Sequence, residues 1–178
     1  MKVIKSKLKD CLIIKPKIYR DNRGSFCETF HELKYRKLAG INHNFVQDNA
    51  SHSSRNVLRG LHFQKIKPQG KLVRVVKGEV FDVAVDIRQN SPTYGQWDSV
   101  ILSEKNLTQF WIPPGFAHGF LVLSDFADFE YKCTEFYDPN DEGSLLWNDP
   151  KINISWPIKN PIISEKDLKA NSFEDLYK

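Results

Sequence analysis

Hydrophobic positions in the middle of the chain fall in short runs rich in β-branched and aromatic residues, each closed by a cluster of Gly, Pro, Asn, Asp or Ser. That spacing predicts strands of a sandwich or barrel. The clearest runs are GKLVRVV, EVFDVAVDI, WDSVIL, TQFWIP, GFLVLS and FEYKCTEFY. KGE, between the first two, carries a tight hairpin signal with Gly78 at its tip, and SEKNL reads as a further turn. Helical patterning is confined to FHELKYRKLAG, with Gly40 as its C-cap, and to a tail beginning SEKDLKANSFEDL. Helices so few cannot cover a parallel sheet. The expected fold is all-β, a two-sheet jelly roll with short peripheral helices, forming one domain over residues 1–178. Its edges would be partly closed by pairing or by a second subunit.

Alternation assigns faces within these strands. In EVFDVAVDIR, Phe81, Val83, Val85 and Ile87 point one way, and Val80, Asp82, Ala84, Asp86 and Arg88 the other; Asp86 and Arg88 read as an outward polar face. In FEYKCTEFY, Phe129, Tyr131, Cys133, Glu135 and Tyr137 share a side. Polar groups recurring beside aromatics suggest a lined cavity. VLRGLHFQ sets a histidine, His62, between leucine and phenylalanine, which fits either a satisfied core side chain or a site residue.

Composition narrows the function classes. Aromatic content of 12% and charged content of 27% describe an ordinary globular chain. There is no run of eighteen apolar residues and no signal-peptide core, so the reading is a cytoplasmic protein without a membrane span. The net charge of +4 suits an anionic small ligand better than nucleic acid, and the lysines at 2, 5, 7 and 9 read as a solvated edge. Cys11, Cys27 and Cys133 lack C-x-x-C spacing and are expected as reduced, buried thiols. The chain has no G-x-G-x-x-G, P-loop or G-x-S-x-G motif. The histidines at 31, 43, 52, 62 and 118 show neither H-x-H nor H-E-x-x-H spacing, so no local metal anchor is expected.

Single residues in unusual company remain: Arg23 and Glu28 around a glycine turn, the amide-rich strand end FVQDNAS, Arg59 and His62, Lys71, His118 in the PPGFAHGF loop, Tyr131, and the pair Lys166 and Asp167. Asp167 also fits a capping box opened by Ser164. In order along the chain, RDNRGSFCETF, FVQDN, NVLRGLHFQ, QGKLVRVVKGEVFDVAVDIR, SPTYGQW, WIPPGFAHGF, YKCTEFYDP, EGSLLWNDP and ISWP resemble the dTDP-4-dehydrorhamnose 3,5-epimerase family. The succession as a whole carries the resemblance. One departure is a slightly short stretch between His62 and Lys71.

The resemblance implies a cupin-like jelly roll, a homodimer, a dTDP-linked 4-keto-6-deoxy sugar as substrate, and no metal or organic cofactor. It implies His62 as base, oriented by Asp167, with Tyr131 as proton donor on the far side of the sugar and Lys71 at the oxyanion. A histidine near pKa 6.5 and a phenol near 10 suit those tasks. The resemblance further implies Arg23 and Arg59 at the pyrophosphate, and Glu28, Gln47, Asn49, His118, Tyr137, Glu142 and Lys166 as other ligand contacts. Asp82 either supports His62 or satisfies polar groups inside the barrel. A single-carbon epimerase, a metal-dependent cupin enzyme and a noncatalytic sugar-binding jelly roll stand as the rivals.

Overall fold

The computed structural model describes residues 1–177; residue 178, the end of the expected domain, lies outside them. The strands are β1 (Lys2–Lys5), β2 (Leu12–Lys15), β3 (Ile18–Asp21), β4 (Gly24–Cys27), β5 (Gln47–Ser54), β6 (Leu58–Gln64), β7 (Lys71–Lys77), β8 (Glu79–Asp86), β9 (Trp97–Ser103), β10 (Gln109–Ile112), β11 (Phe116–Val122), β12 (Phe126–Cys133) and β13 (Glu142–Ser144). Helix α1 (Glu32–Ala39) follows β4, α2 (Glu165–Leu168) follows β13, and a 3-10 turn occupies Phe173–Asp175. The strands pair in a six-stranded sheet, β1-β2-β10-β7-β12-β5, and a five-stranded sheet, β13-β6-β11-β8-β9, while β3 and β4 form a two-stranded arm.

The two large sheets are glued by one apolar core. Val73, Phe110 and Phe129 from the first meet Val80, Ala84 and Phe120 from the second. The other face of the five-stranded sheet is covered as well, with Val83, Val85 and Ile87 packed under Leu145, Ile152, Ile154 and Phe173. A strand buried on both faces loses alternation and reads as a continuous apolar run. Every residue of β11 is accordingly buried, and the strand begins at Phe116 and takes in His118, expected in a loop. On the outer face of the six-stranded sheet, Tyr35 of α1 and Ile41 pack on Ile14, Leu72 and Trp111. Gly40 ends α1 at φ 68°, a left-handed C-cap as expected.

Four further expectations need correction. Gly78 does not close a hairpin, because β7 and β8 belong to different sheets. Its φ of +83° carries the chain across the sandwich edge, where an added Cβ would fall 2.1 Å from Phe126 O. A hairpin tip and a sheet-to-sheet corner both demand positive φ, so one glycine signals either. Asp86 is not on an outward face. It is fully buried and accepts hydrogen bonds from Arg88 Nε (2.9 Å), Ser91 Oγ (2.6 Å) and Thr93 Oγ1 (2.6 Å), closing the end of the interior with a saturated carboxylate. β12 stops at Cys133, so Glu135 and Tyr137 lie beyond it rather than along its face. Cys11 and Cys133 are buried free thiols, whereas Cys27 is only partly covered.

Candidate active site

The site is built where β5, β6, β7, β12 and β13 meet the tail. Arg59 and His62, three residues apart, would point to opposite faces of a regular strand. Here β6 shifts register against β11, with Arg59 paired to Phe120 and His62 to His118. Phe120 belongs to the inner core, so the shift turns both β6 side chains inward. Gly60 and Gly119 permit it: at φ +122°, a Cβ on Gly60 would sit 2.6 Å from Gly119 Cα.

His62 Nε2 lies 2.7 Å from Asp167 Oδ1. The Gly60 N–H reaches the other oxygen, Oδ2, at 3.4 Å. The N–H of Asp167 donates to Ser164 Oγ at 3.1 Å, which completes the expected cap. The capping and orienting roles do not compete, since the cap uses the backbone of Asp167 and His62 uses its carboxylate. Burial would raise the Asp167 pKa, but the His62 ring, the Gly60 N–H and Ser164 together hold it below the ordinary carboxylate value. With Nε2 facing this carboxylate, His62 presents Nδ1 as its basic nitrogen.

Tyr131 comes from the opposite sheet, paired to Asn49 on β5 and Val73 on β7. Burial, reinforced by Cys133, raises its pKa against the pull of Arg59, so the phenol stays protonated at neutral pH. Lys71 is buried, 8% exposed, and its Nζ donates to His62 O at 3.4 Å. Burial lowers the Lys71 pKa, opposed by Cys133, Asp82 and Glu142.

A second ring of the predicted residues forms the mouth. Asn49 Nδ2 donates to Cys133 Sγ at 3.5 Å, Gln47 Nε2 to Asn49 Oδ1 at 3.0 Å, and the Tyr137 N–H to Gln47 Oε1 at 2.9 Å. Tyr137 OH donates to Glu142 Oε2 at 2.9 Å, and Lys166 Nζ donates to the same oxygen. Burial would raise the Glu142 pKa, yet these two donors hold it below the usual range, and His62 lies within its electrostatic reach. Arg59 Nε is anchored on Ser53 Oγ at 2.9 Å, leaving the outer edge of the guanidinium for an anion.

Other predicted residues stand apart. Arg23 is on the β3–β4 arm, its side chain 85% exposed and paired with Asp21 at 2.7 Å. Glu28 pairs with Lys34 of α1 at 2.8 Å. Neither joins the His62 group within one chain. His118 lies behind the site, only 6% exposed, with Nε2 2.9 Å from Asp82 Oδ2. Sequence reasoning passed over Ser53 and Gln64. Gln64 Nε2 donates to Lys67 O and Phe136 O, while its Oε1 accepts the Asp138 N–H, tying down the segment that carries Tyr137. Its one sequence signal is a polar residue two positions after His62 in an apolar strand. Among the described residues, no group of three or more His, Cys, Asp or Glu is arranged to hold a metal.

An imidazole held by a carboxylate, a buried lysine and a protonated phenol in one jelly-roll interior make the kind of site that a proton-transfer enzyme uses. Comparison with known proteins supplies the family. The dTDP-4-dehydrorhamnose 3,5-epimerase model matches residues 5–175, and the chain belongs to that family of epimerases. It is 53% identical over 177 residues to the dTDP-4-dehydrorhamnose 3,5-epimerase of Shigella flexneri, spanning 98% of this chain and 97% of that one. The crystal structure of dTDP-6-deoxy-D-glucose-3,5-epimerase from Legionella pneumophila, in complex with dTDP-4-keto-L-rhamnose, superposes with a TM-score of 0.95 at 53% identity, covering 98% and 94% of the two chains. ChmJ, a 3'-monoepimerase from Streptomyces bikiniensis in complex with dTDP-quinovose, superposes with a TM-score of 0.88 at 32% identity over 94% and 86%.

Proposed function

We propose that the chain inverts carbons 3 and 5 of dTDP-4-dehydro-6-deoxy-glucose to give dTDP-4-dehydrorhamnose. The observation that carries this reading is the His62–Asp167 pair, which orients a basic Nδ1 in an interior also lined by Tyr131 and Lys71. The C4 ketone acidifies the C–H bonds on both neighbouring carbons. His62 Nδ1 takes the proton, and the C–H electron pair passes into the C4 oxygen as an enolate. Lys71, itself only 8% exposed, offsets that charge. The Tyr131 O–H then protonates the opposite face of the carbon, and the resulting phenolate and imidazolium reset through water. One such round serves each carbon. Every step is a proton transfer, so none calls for a metal or an organic cofactor.

Arg59 suits the pyrophosphate through its outer edge, and Gln47, Asn49, Tyr137, Glu142 and Lys166 suit the rest of the nucleotide sugar at the mouth. Arg23 and Glu28 can serve a ligand only if the β3–β4 arm meets the site of a second copy, so their role and a homodimer stand together. The exposed arm aromatics, Tyr19 at 53% and Phe26 at 68%, support that pairing. Among the described residues no helix is long and apolar enough to cross a membrane. Free cysteines are in keeping with a reducing, cytoplasmic compartment.

The likeness to a 3'-monoepimerase keeps a single-carbon reaction as a second reading. Incubation with dTDP-4-keto-6-deoxyglucose in heavy water separates the two. Deuterium at both C3 and C5 is the expected result; uptake at one carbon supports the second reading, and uptake at neither overturns both.

A further inference from the structure

A buried polar group lies deeper than His62, and the reaction above leaves part of it unused. Asp82 of β8 is 0% exposed. Its Oδ2 pairs with His118 Nε2, whereas Oδ1 is buried without a hydrogen-bond partner. His118 is held flat against Phe129, ring centroids 6.1 Å apart, and is the cross-strand partner of His62. Lys71 enters from the facing sheet, and its Nζ has one acceptor, His62 O at 3.4 Å. An Asp82 oxygen without a donor and a Lys71 amino group with a single long hydrogen bond thus share one interior, each within the other's electrostatic reach.

We propose that Asp82, oriented by His118, is a positioning residue that keeps Lys71 in its ammonium form at the floor of the active site. Lys71 needs such a partner, because burial disfavours its charge and a neutral amine offers an oxyanion no positive charge. The groups facing it are Cys133 on β12, Glu142 on β13, Asp82 on β8 and the two histidines on β6 and β11. Cys133 is held neutral, since burial raises its pKa above the thiol value. Glu142 is already shared between Lys166 and Tyr137. The histidines supply no negative charge. Asp82 is the counter-charge that remains. Burial raises its pKa as well, and His118 and Lys71 draw it back toward ionisation, so the three groups depend on one another.

The proposal rests on Lys71 serving the enolate, but its test reads Lys71 itself. In the full-length protein labelled with 15N at lysine Nζ and 13C at aspartate, Lys71 should show an ammonium signal and Asp82 an ionised carboxyl signal at pH 7. In Asp82→Asn the Lys71 titration should move to lower pH. The alkaline limb of kcat should move with it, and kcat at neutral pH should fall about tenfold or more with little change in KM. A native Lys71 signal of the neutral amine overturns the proposal, as does a protonated Asp82. So does a folded Asp82→Asn variant that loses activity while the Lys71 titration stays in place, because a merely structural role would behave that way. Should Asp82→Asn fail to fold, the two native signals alone decide. Absence of epimerisation in the native protein would instead sink the functional reading and leave the signals intact.

Discussion

At the scale of single residues, the account turns on which atom each side chain offers. Asp167 serves His62 with its carboxylate alone, so Asp167→Asn should leave the Ser164 cap in place while allowing the wrong imidazole tautomer. Turnover should drop about 10²–10⁴-fold with nucleotide affinity nearly unchanged, as steady-state kinetics and calorimetry would show. A loss of binding in parallel would count against the assignment. Lys71→Ala should cost about 2.7–4 kcal/mol, expressed in kcat rather than KM. The depressed Asp167 pKa also fixes a direction with pH. Its contribution to stability is present in full above the unfolded carboxylate pKa of about 3.9 and disappears as pH falls through the lower folded value. The gap in melting temperature between native protein and Asp167→Asn should therefore narrow below about pH 4. His62, Lys71 and Tyr131 were named from runs of the family's succession, whereas Asp167 came from SEKDL, where an acid three residues after Ser164 also marks a helix cap. Ser53 and Gln64 were not, because a polar residue in a strand announces nothing about what it will hold.

Elements set the geometry that these atoms need. Period-two alternation separates Arg59 from His62, and only the register shift at Gly60 reunites them, a three-dimensional fact with no local sequence signature beyond the glycine itself. Gly60→Ala would press a methyl group against Gly119 Cα and His118 O, at 2.6 and 2.8 Å, in a backbone conformation that disfavours side chains. A stability loss of roughly 2–4 kcal/mol is expected in denaturant titration, with activity falling further than stability explains. Unchanged activity would mean that the shift does not aim the site. Asp86 closes the far end of β8, where Arg88, Ser91 and Thr93 surround it. Asp86→Asn removes the buried charge and leaves Arg88 only the exposed Asp10 as a carboxylate partner, so a loss of about 2–4 kcal/mol is expected, measured the same way. Strand identity was well read from the hydrophobic runs. Sheet membership was not, since Gly78 marks a sharp turn without telling which sheet the next strand joins.

For the molecule as a whole, the exposed arm is the feature that one chain leaves unexplained. Tyr19 and Phe26 stand beside each other there, ring centroids 6.4 Å apart, near Arg23 and Glu28, which the family resemblance links to substrate. Sedimentation should give a dimer, and Phe26→Ser should weaken both dimerisation and nucleotide binding. A monomer with full activity would remove the arm from the site. The central claim, however, is two-sided proton transfer between His62 and Tyr131. It is tested most directly by Tyr131→Phe in heavy water, followed by proton NMR of the sugar. His62 should still remove the C–H proton and return deuterium to the same face, so exchange should persist while inversion falls by about 10²-fold or more. Inversion at the native rate, or loss of exchange together with inversion in a folded variant, would contradict the account.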